Sequence, residues 1–256
     1  MSRTPLSAVI ITFNAASQLD ACLQGASFAD EILVVDAGST DATVEIAKRH
    51  GARVVHHDWE GFGKQKRYAV AQARYPWVLC LDADERVSEE LRAAVQRALE
   101  PPAFKVYAMP RRNRFMGRWL KHGEGYPDYN LRLFHRDYAQ WSEDAVHEKV
   151  VTEQPLGRLA GDLLHASETG IADYLEKQNR YTTLQAQMLF ERGARAGVAR
   201  MLFSPLLRFI KFYFLRLGFL DGLPGLIHIT IGCMNSFVKY AKLRELRRTP
   251  RAGGEQ

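Results

Sequence analysis

Trp77-Val78-Leu79-Cys80-Leu81 runs directly into Asp82-Ala83-Asp84-Glu85. A short apolar run closed by acids reads as a buried strand that stops where the chain reaches a polar cleft. The same pattern recurs upstream. Leu6 to Phe13 reads as a strand followed by Asn14, and Glu31 to Val35 as a strand followed by Asp36. Ala52 to Val55 reads as a short third strand. Helical segments separate them: Ala16 to Gly25, a helix capped by Thr40 or Asp41 and ending near Gly51, and Lys64 to Arg74. A further helix starts at Ser88, with Glu89 and Glu90 in its first turn. Strands alternating with helices predict an α/β fold whose parallel sheet is covered on both faces. Ligands of such sheets bind at the carboxyl ends of the strands. Asn14, Asp36 and Asp82 all fall there.

Asp82 and Asp84 flank one small residue, and alternation in an extended segment puts them on the same side. Two such carboxylates repel unless a cation sits between them. A hard divalent ion, Mg2+ or Mn2+, suits oxygen ligands and is shared with substrate phosphates. On its own the triplet is also a common loop sequence, and the strand before it favours the metal reading. Asp36 can accept hydrogen bonds from a base or ribose, and Gly38 lets backbone approach a ligand. A capping turn built from Ser39, Thr40 and Asp41 explains the same residues equally well.

Thr12-Phe13-Asn14, Asp36-Ala37-Gly38-Ser39-Thr40-Asp41, Lys64 and Asp82-Ala83-Asp84-Glu85 occur in this order. Together they resemble the donor half of the inverting glycosyltransferase family 2. The resemblance implies a GT-A fold, a Rossmann-like, mixed, mostly parallel sheet flanked by helices. It implies that Thr12, Asn14 and Asp36 hold the nucleotide base, that Lys64 lies near base and ribose, and that Asp82 contacts the ribose. Asp84 would bind the metal that bridges the donor diphosphate, and the ion would neutralise charge on the leaving group. Phe13 stands where the wider family often has Tyr. Nucleotidyltransferases of related fold carry a Gly-rich basic loop after the first strand, and Thr12-Phe13-Asn14-Ala15-Ala16 has no glycine.

Ala103 to Met109 reads as a strand, and the rest of 103–165 as irregular or antiparallel structure. An inverting transfer needs a base for the acceptor hydroxyl. Trp141-Ser142-Glu143-Asp144-Ala145-Val146-His147-Glu148 supplies the candidates. His147-Glu148 resembles the family's base motif, which puts Glu148 first and Asp144 second; surface solvation is the rival reading for either acid. Arg132, ahead of Arg136, is the candidate to steady the diphosphate, because guanidinium matches phosphate geometry. A surface salt bridge is its alternative. His165 is a candidate metal or phosphate contact or a structural imidazole.

The net charge of +6 is uneven. Residues 192–251 carry twelve Lys and Arg against Asp221 and Glu245, a net +10 that leaves −4 for the remainder. An acidic catalytic body with a basic tail predicts an anionic partner. After a helix over 171–191, the tail mixes Phe, Tyr and Leu with Arg208, Lys211 and Arg216 over 202–220, and a second apolar run follows at 223–234. Neither run reaches the ~18 uninterrupted apolar residues of a spanning helix. The pattern fits an amphipathic helix in a membrane interface, against the alternative of a core helix. It does not suit nucleic acid, for which there is no motif. Leu6 to Ile11 is too short for a signal-peptide core, and Cys22, Cys80 and Cys233 are expected as buried thiols.

His147-Glu148-Lys149-Val150, the Tyr174 to Tyr181 helix and Gly218-Phe219-Leu220-Asp221-Gly222-Leu223-Pro224-Gly225 resemble bacterial lipopolysaccharide core β-1,4-glucosyltransferases. This implies transfer of glucose from UDP-glucose to an inner-core heptose, at the inner face of the bacterial inner membrane. The expected organisation is a donor-binding half over 1–100, an acceptor-binding half over 101–170 and a helical, membrane-associating region over 171–256. A polyprenyl-phosphate or capsule-precursor acceptor is the alternative within the same chemistry. A non-catalytic, membrane-attached nucleotide-sugar binding protein is the alternative of another class.

Overall fold

The computed structural model describes residues 4–143, 148–166, 170–195 and 197–248. They divide into two units, one of residues up to Arg112 plus Asp128–Ala166, the other of Asn113–Pro127 plus the chain beyond.

The first unit is built on a mixed sheet of the kind expected for a GT-A fold. Strands β1 (Leu6–Thr12), β2 (Glu31–Asp36), β3 (Arg53–His56) and β4 (Trp77–Asp82) lie parallel in the order β3-β2-β1-β4. Every residue of β1 is buried, as its apolar composition requires for a strand covered on both faces. Helices α1 (Ala16–Ala26), α2 (Thr43–Arg49) and α3 (Phe62–Gln72) make the crossovers. After β4, the short β5 (Glu85–Val87) leads to α4 (Glu89–Ala98), whose N-cap Ser88 Oγ accepts the Leu91 amide at 3.2 Å.

The sheet continues through β6 (Val106–Phe115), β8 (Asp128–His135) and β12 (Leu163–His165), in the order β4-β8-β6-β12-β5; β11 (Leu156–Arg158) also pairs with β6. The pairs β4–β8, β6–β8 and β12–β5 are antiparallel. A separate hairpin joins β9 (Gln140–Trp141) to β10 (Val150–Val151). One apolar layer, including Leu19, Leu23, Leu91 and Val95, covers one face of the sheet. A second, including Ala69, Val70, Phe134 and Trp141, covers the other.

The second unit is helical. Helix α5 (Ile171–Glu191) has the bounds read from the sequence, and α6 (Val198–Phe209) passes into a π-helical turn over Ile210–Leu215. A 3-10 turn over Gly218–Asp221 then leads into α7 (Gly222–Arg248). Leu217 (φ 53°) and Gly222 (φ 64°) take the left-handed conformations that turn the chain between the two long helices. Ala186 and Leu243 are buried between α5 and α7, and Lys242 Nζ donates to the Asn179 carbonyl and to Thr182 and Thr183 hydroxyls. The segment 113–127, with β7 (Arg118–Trp119) pairing the outer end of β6, belongs here. It is pinned by buried Asp221, which accepts the amides of Lys121 and His122.

Candidate active site

Register alone assembles the edge at which the site forms. Thr12 lies opposite Asp36, Asp36 opposite His56, and Ile11 opposite Asp82. The expected residues at the strand ends therefore share one margin of the sheet.

At β2, the Asp36 carboxylate is buried and organises its own loop. One oxygen accepts from Thr12 Oγ1 at 2.9 Å and Ser39 Oγ at 2.5 Å; the other accepts the amides of Gly38 (3.0 Å) and Ser39 (2.8 Å). Gly38 sits at φ 91°, where a side chain would be strained. Asn14, at φ 47°, donates its amide to Ser39 Oγ and accepts the Thr40 amide, joining this loop to the one after β1. Asp41 accepts the amide of Thr43, the first residue of α2. The turn reading of 36–41 thus describes the geometry, and it leaves Phe13 60% exposed on the same margin.

At β4, the extended segment expected for 82–84 is a tight turn at Ala83-Asp84 between β4 and β5. The two carboxylates consequently meet different partners. Asp82 forms ion pairs with Lys66 Nζ at 2.9 Å and Arg132 Nη2 at 2.8 Å. Burial alone would raise its carboxyl, but the charges of Arg132 and Lys66 override it and hold Asp82 well below the usual carboxylate range. The repulsion expected between Asp82 and Asp84 is thus relieved at Asp82 by the protein's own cations. Asp84 instead lies 3.0 Å, Oδ2 to Nε2, from His165, which β12 brings alongside through the pairing of His165 with Glu85.

Arg132, expected either to steady the diphosphate or to form a surface salt bridge, is not on the surface. It is 4% exposed, bridges Asp82 and wholly buried Glu85 (2.7 Å), and lies against the Trp141 ring. Burial raises the Glu85 carboxyl, an effect that the Arg132 charge opposes. Arg132 supports Asp82 from beneath.

Lys66, not among the residues expected from the sequence, joins two of those that are. It is 5% exposed, and its ammonium touches both Asp82 Oδ1 and Glu148 Oε1 at 2.9 Å while lying 4.6 Å from the Trp141 ring centroid. Glu148, the first candidate base, is thereby tied to the carboxylate at the end of β4. The β9–β10 hairpin positions it: Ser142 and Lys149 exchange hydrogen bonds just before Glu148 leaves the ladder. Lys64 is exposed, 3.7 Å from Glu60 one turn earlier. The signal for Lys66 was present, because Lys66, Ala69, Val70 and Ala73 form an i, i+3, i+4, i+7 stripe and put a lysine on the buried face of α3. Asp144 and His147 lie outside the described residues.

Asp84 and His165 fit a divalent ion. Both are partly exposed, and their donor atoms are separated by about the ~3.0 Å expected for adjacent corners of an octahedron with ~2.1 Å bonds. Among the described residues no cluster of three His, Cys, Asp or Glu could hold a metal. Substrate phosphates and water would complete the coordination of an ion held by these two side chains.

The family model described as "Glycosyl transferase family 2" matches residues 7–155. Among curated proteins, the chain is 30% identical to the lipopolysaccharide core biosynthesis glycosyltransferase LpsC of Rhizobium meliloti (strain 1021), over 94% of this chain and 92% of that protein. It is also 30% identical to an uncharacterised glycosyltransferase of Rickettsia bellii (strain RML369-C), over 94% and 86% respectively. Among solved structures, the UDP complex of S. aureus TarS 1–349 aligns with a TM-score of 0.49 and 15% identity, covering 98% of this chain and 93% of that one.

Proposed function

Since the chain belongs to glycosyltransferase family 2, we propose that it transfers glucose from UDP-glucose, with inversion, to a heptose of the lipopolysaccharide inner core. The observation that carries the mechanism is the double ion pair of Lys66, which sets Glu148 next to the strand-end carboxylate Asp82. The LpsC likeness over nearly the whole chain supports the acceptor class.

In this reading the uridine lies at the margin formed by Thr12, Asn14, Asp36 and Gly38, with the exposed Phe13 ring as a stacking surface. Lys64 reaches base or ribose from the first turn of α3, and Asp82 meets the ribose while Arg132 and Lys66 fix its orientation. Asp84 and His165 hold Mg2+ or Mn2+, which when bound offsets the negative charge of the diphosphate leaving group. Glu148 takes the proton of the acceptor hydroxyl as its oxygen bonds to the anomeric carbon. The bond from that carbon to the diphosphate oxygen breaks on the opposite face, so UDP leaves and the anomeric configuration inverts. The enzyme works as a peripheral protein on the inner face of the inner membrane, where an amphiphilic acceptor is presented.

Incubating the protein with UDP-[14C]glucose, divalent metal and either heptose-terminated truncated lipopolysaccharide or a polyprenyl phosphate tests this. Label is expected on the heptose acceptor, with a β linkage by NMR. Label on the polyprenyl phosphate alone moves the enzyme to the alternative acceptor. An α linkage overturns the inverting mechanism.

A further inference from the structure

The second unit leaves its most apolar helix uncovered. None of the described residues from Val198 to Leu215 is buried. Phe203, Leu207, Ile210 and Phe214 recur at three- or four-residue spacing, so they form one exposed ribbon along α6 and its π-helical end. Leu207 is 65% exposed and Leu215 75%. The exposed apolar surface continues past the turn through Leu220 and Leu223. Isolated exposed leucines need no explanation, but a contiguous ribbon marks an interaction surface.

Charge indicates what covers it. Residues 192–220 hold six Lys and Arg and no Asp or Glu. The acids that approach this stretch are neutralised or hidden: Glu124 pairs with Arg208, and Asp221 is buried. Lys211 and Arg216 remain exposed beside the ribbon. A second copy of this chain would bring these cations against their own kind, which disfavours association. An anionic bilayer meets both demands, accepting apolar side chains below its headgroups and cations at their level. No single described helix is long and apolar enough to cross a membrane; α6 with its π-helical turn and α7 pass such a test only as a pair bent by 75°.

We infer that the elbow formed by α6, the π-helical turn and the start of α7 is a monotopic anchor. It would insert its Phe and Leu ribbon into one leaflet of an anionic membrane, with Lys211 and Arg216 at the headgroups. This deepens, and rests on, the peripheral-membrane reading above.

Sedimentation of the full chain with vesicles of phosphatidylglycerol and phosphatidylethanolamine, or of phosphatidylcholine alone, tests the anchor. Wild type is expected to partition into the anionic vesicles. Leu207→Glu/Phe214→Glu should weaken partitioning at least 10-fold, and Lys211→Glu/Arg216→Glu should abolish the preference for anionic lipid. A Phe214→Trp variant should show blue-shifted emission with anionic vesicles. Unchanged partitioning of the apolar double variant, or no spectral shift at Trp, overturns the inference. So does a dimer that dissociates in the apolar variant while wild type ignores vesicles, which assigns the ribbon to self-association. UDP titration of the same samples separates the readings: lost UDP binding in wild type counts against the donor site, and retained binding without partitioning counts against the anchor alone.

Discussion

The two units depart from the inside–outside rule in opposite directions. At the sheet margin of the first, charge is buried: Lys66, Arg132, Glu85 and Asp36 are all nearly inaccessible, with Arg132 paired to Glu85 and Asp82, Lys66 to Asp82 and Glu148, and Asp36 accepting loop amides. In the α6 ribbon of the second, leucine and phenylalanine are exposed over successive helical turns. A protein retains buried ions where positions must be fixed, because removing one partner leaves an uncompensated charge. It retains an exposed apolar ribbon where something else supplies the apolar environment. Under the proposed function the first departure holds the chemistry rigid, and under the inferred anchor the second is a surface completed from outside.

The buried-charge side of this contrast breaks most severely at Glu148. Glu148→Gln is expected to lower kcat about 10²- to 10⁴-fold, the range for a lost general base, with UDP affinity retained by calorimetry. Turnover within a few-fold of wild type would remove Glu148 from the base role. Lys66→Met comes next. It strips Asp82 and Glu148 of a shared cation, and a broken buried pair costs roughly 3 kcal/mol or more. Urea denaturation should show that loss, with Lys66→Arg recovering part of it. A variant as stable as wild type would mean that the bridge is dispensable.

The helical unit contains its own half-buried titratable group, His228, packed against Phe115 and Tyr174. Burial, reinforced by the Arg208 charge, lowers its imidazole to about 4 from 6.5. The unfolded chain then binds the proton more readily, so stability falls as pH drops from 6.5 toward 4. The loss approaches about 3 kcal/mol at the low end. His228→Gln should flatten the pH dependence in that window, as read from denaturation midpoints at pH 7, 5.5 and 4.5; an unchanged slope places the titration elsewhere. Smallest is Phe13→Ala, which removes the exposed ring at the donor margin. It should weaken UDP binding about 10-fold, within the range for base stacking, and leave the thermal midpoint unchanged. Unaltered UDP affinity would remove Phe13 from the site.

Much of the first unit was legible because apolar strands stopped at acids. The starts of β1, β2 and β4 match the expected ones, β2 and β4 each take in the acid that closes them, and β1 stops at Thr12, one residue short of the expected Phe13; the parallel register then carries Thr12, Asp36 and Asp82 to one margin. What was not legible depends on distant pairings. The antiparallel insertion of β8 beside β4 takes Arg132 beneath Asp82, and the β12–β5 pairing sets His165 against Asp84. Neither leaves a local trace in sequence. Lys66 was legible by helical periodicity, but its proximity to Lys64 and Arg67 concealed it as one of a charged cluster. In the tail, composition showed the apolar and basic character of 202–220, whereas the break at Leu217 and Gly222 depends on left-handed backbone that composition does not announce.

The most direct test of the strand-end site is calorimetric titration of UDP into wild type and Asp84→Ala, each with and without Mn2+. Mn2+ is expected to tighten UDP binding to wild type, and Asp84→Ala to lose this dependence while keeping metal-free affinity. Equal metal dependence in both proteins, or no UDP binding by wild type, would contradict it.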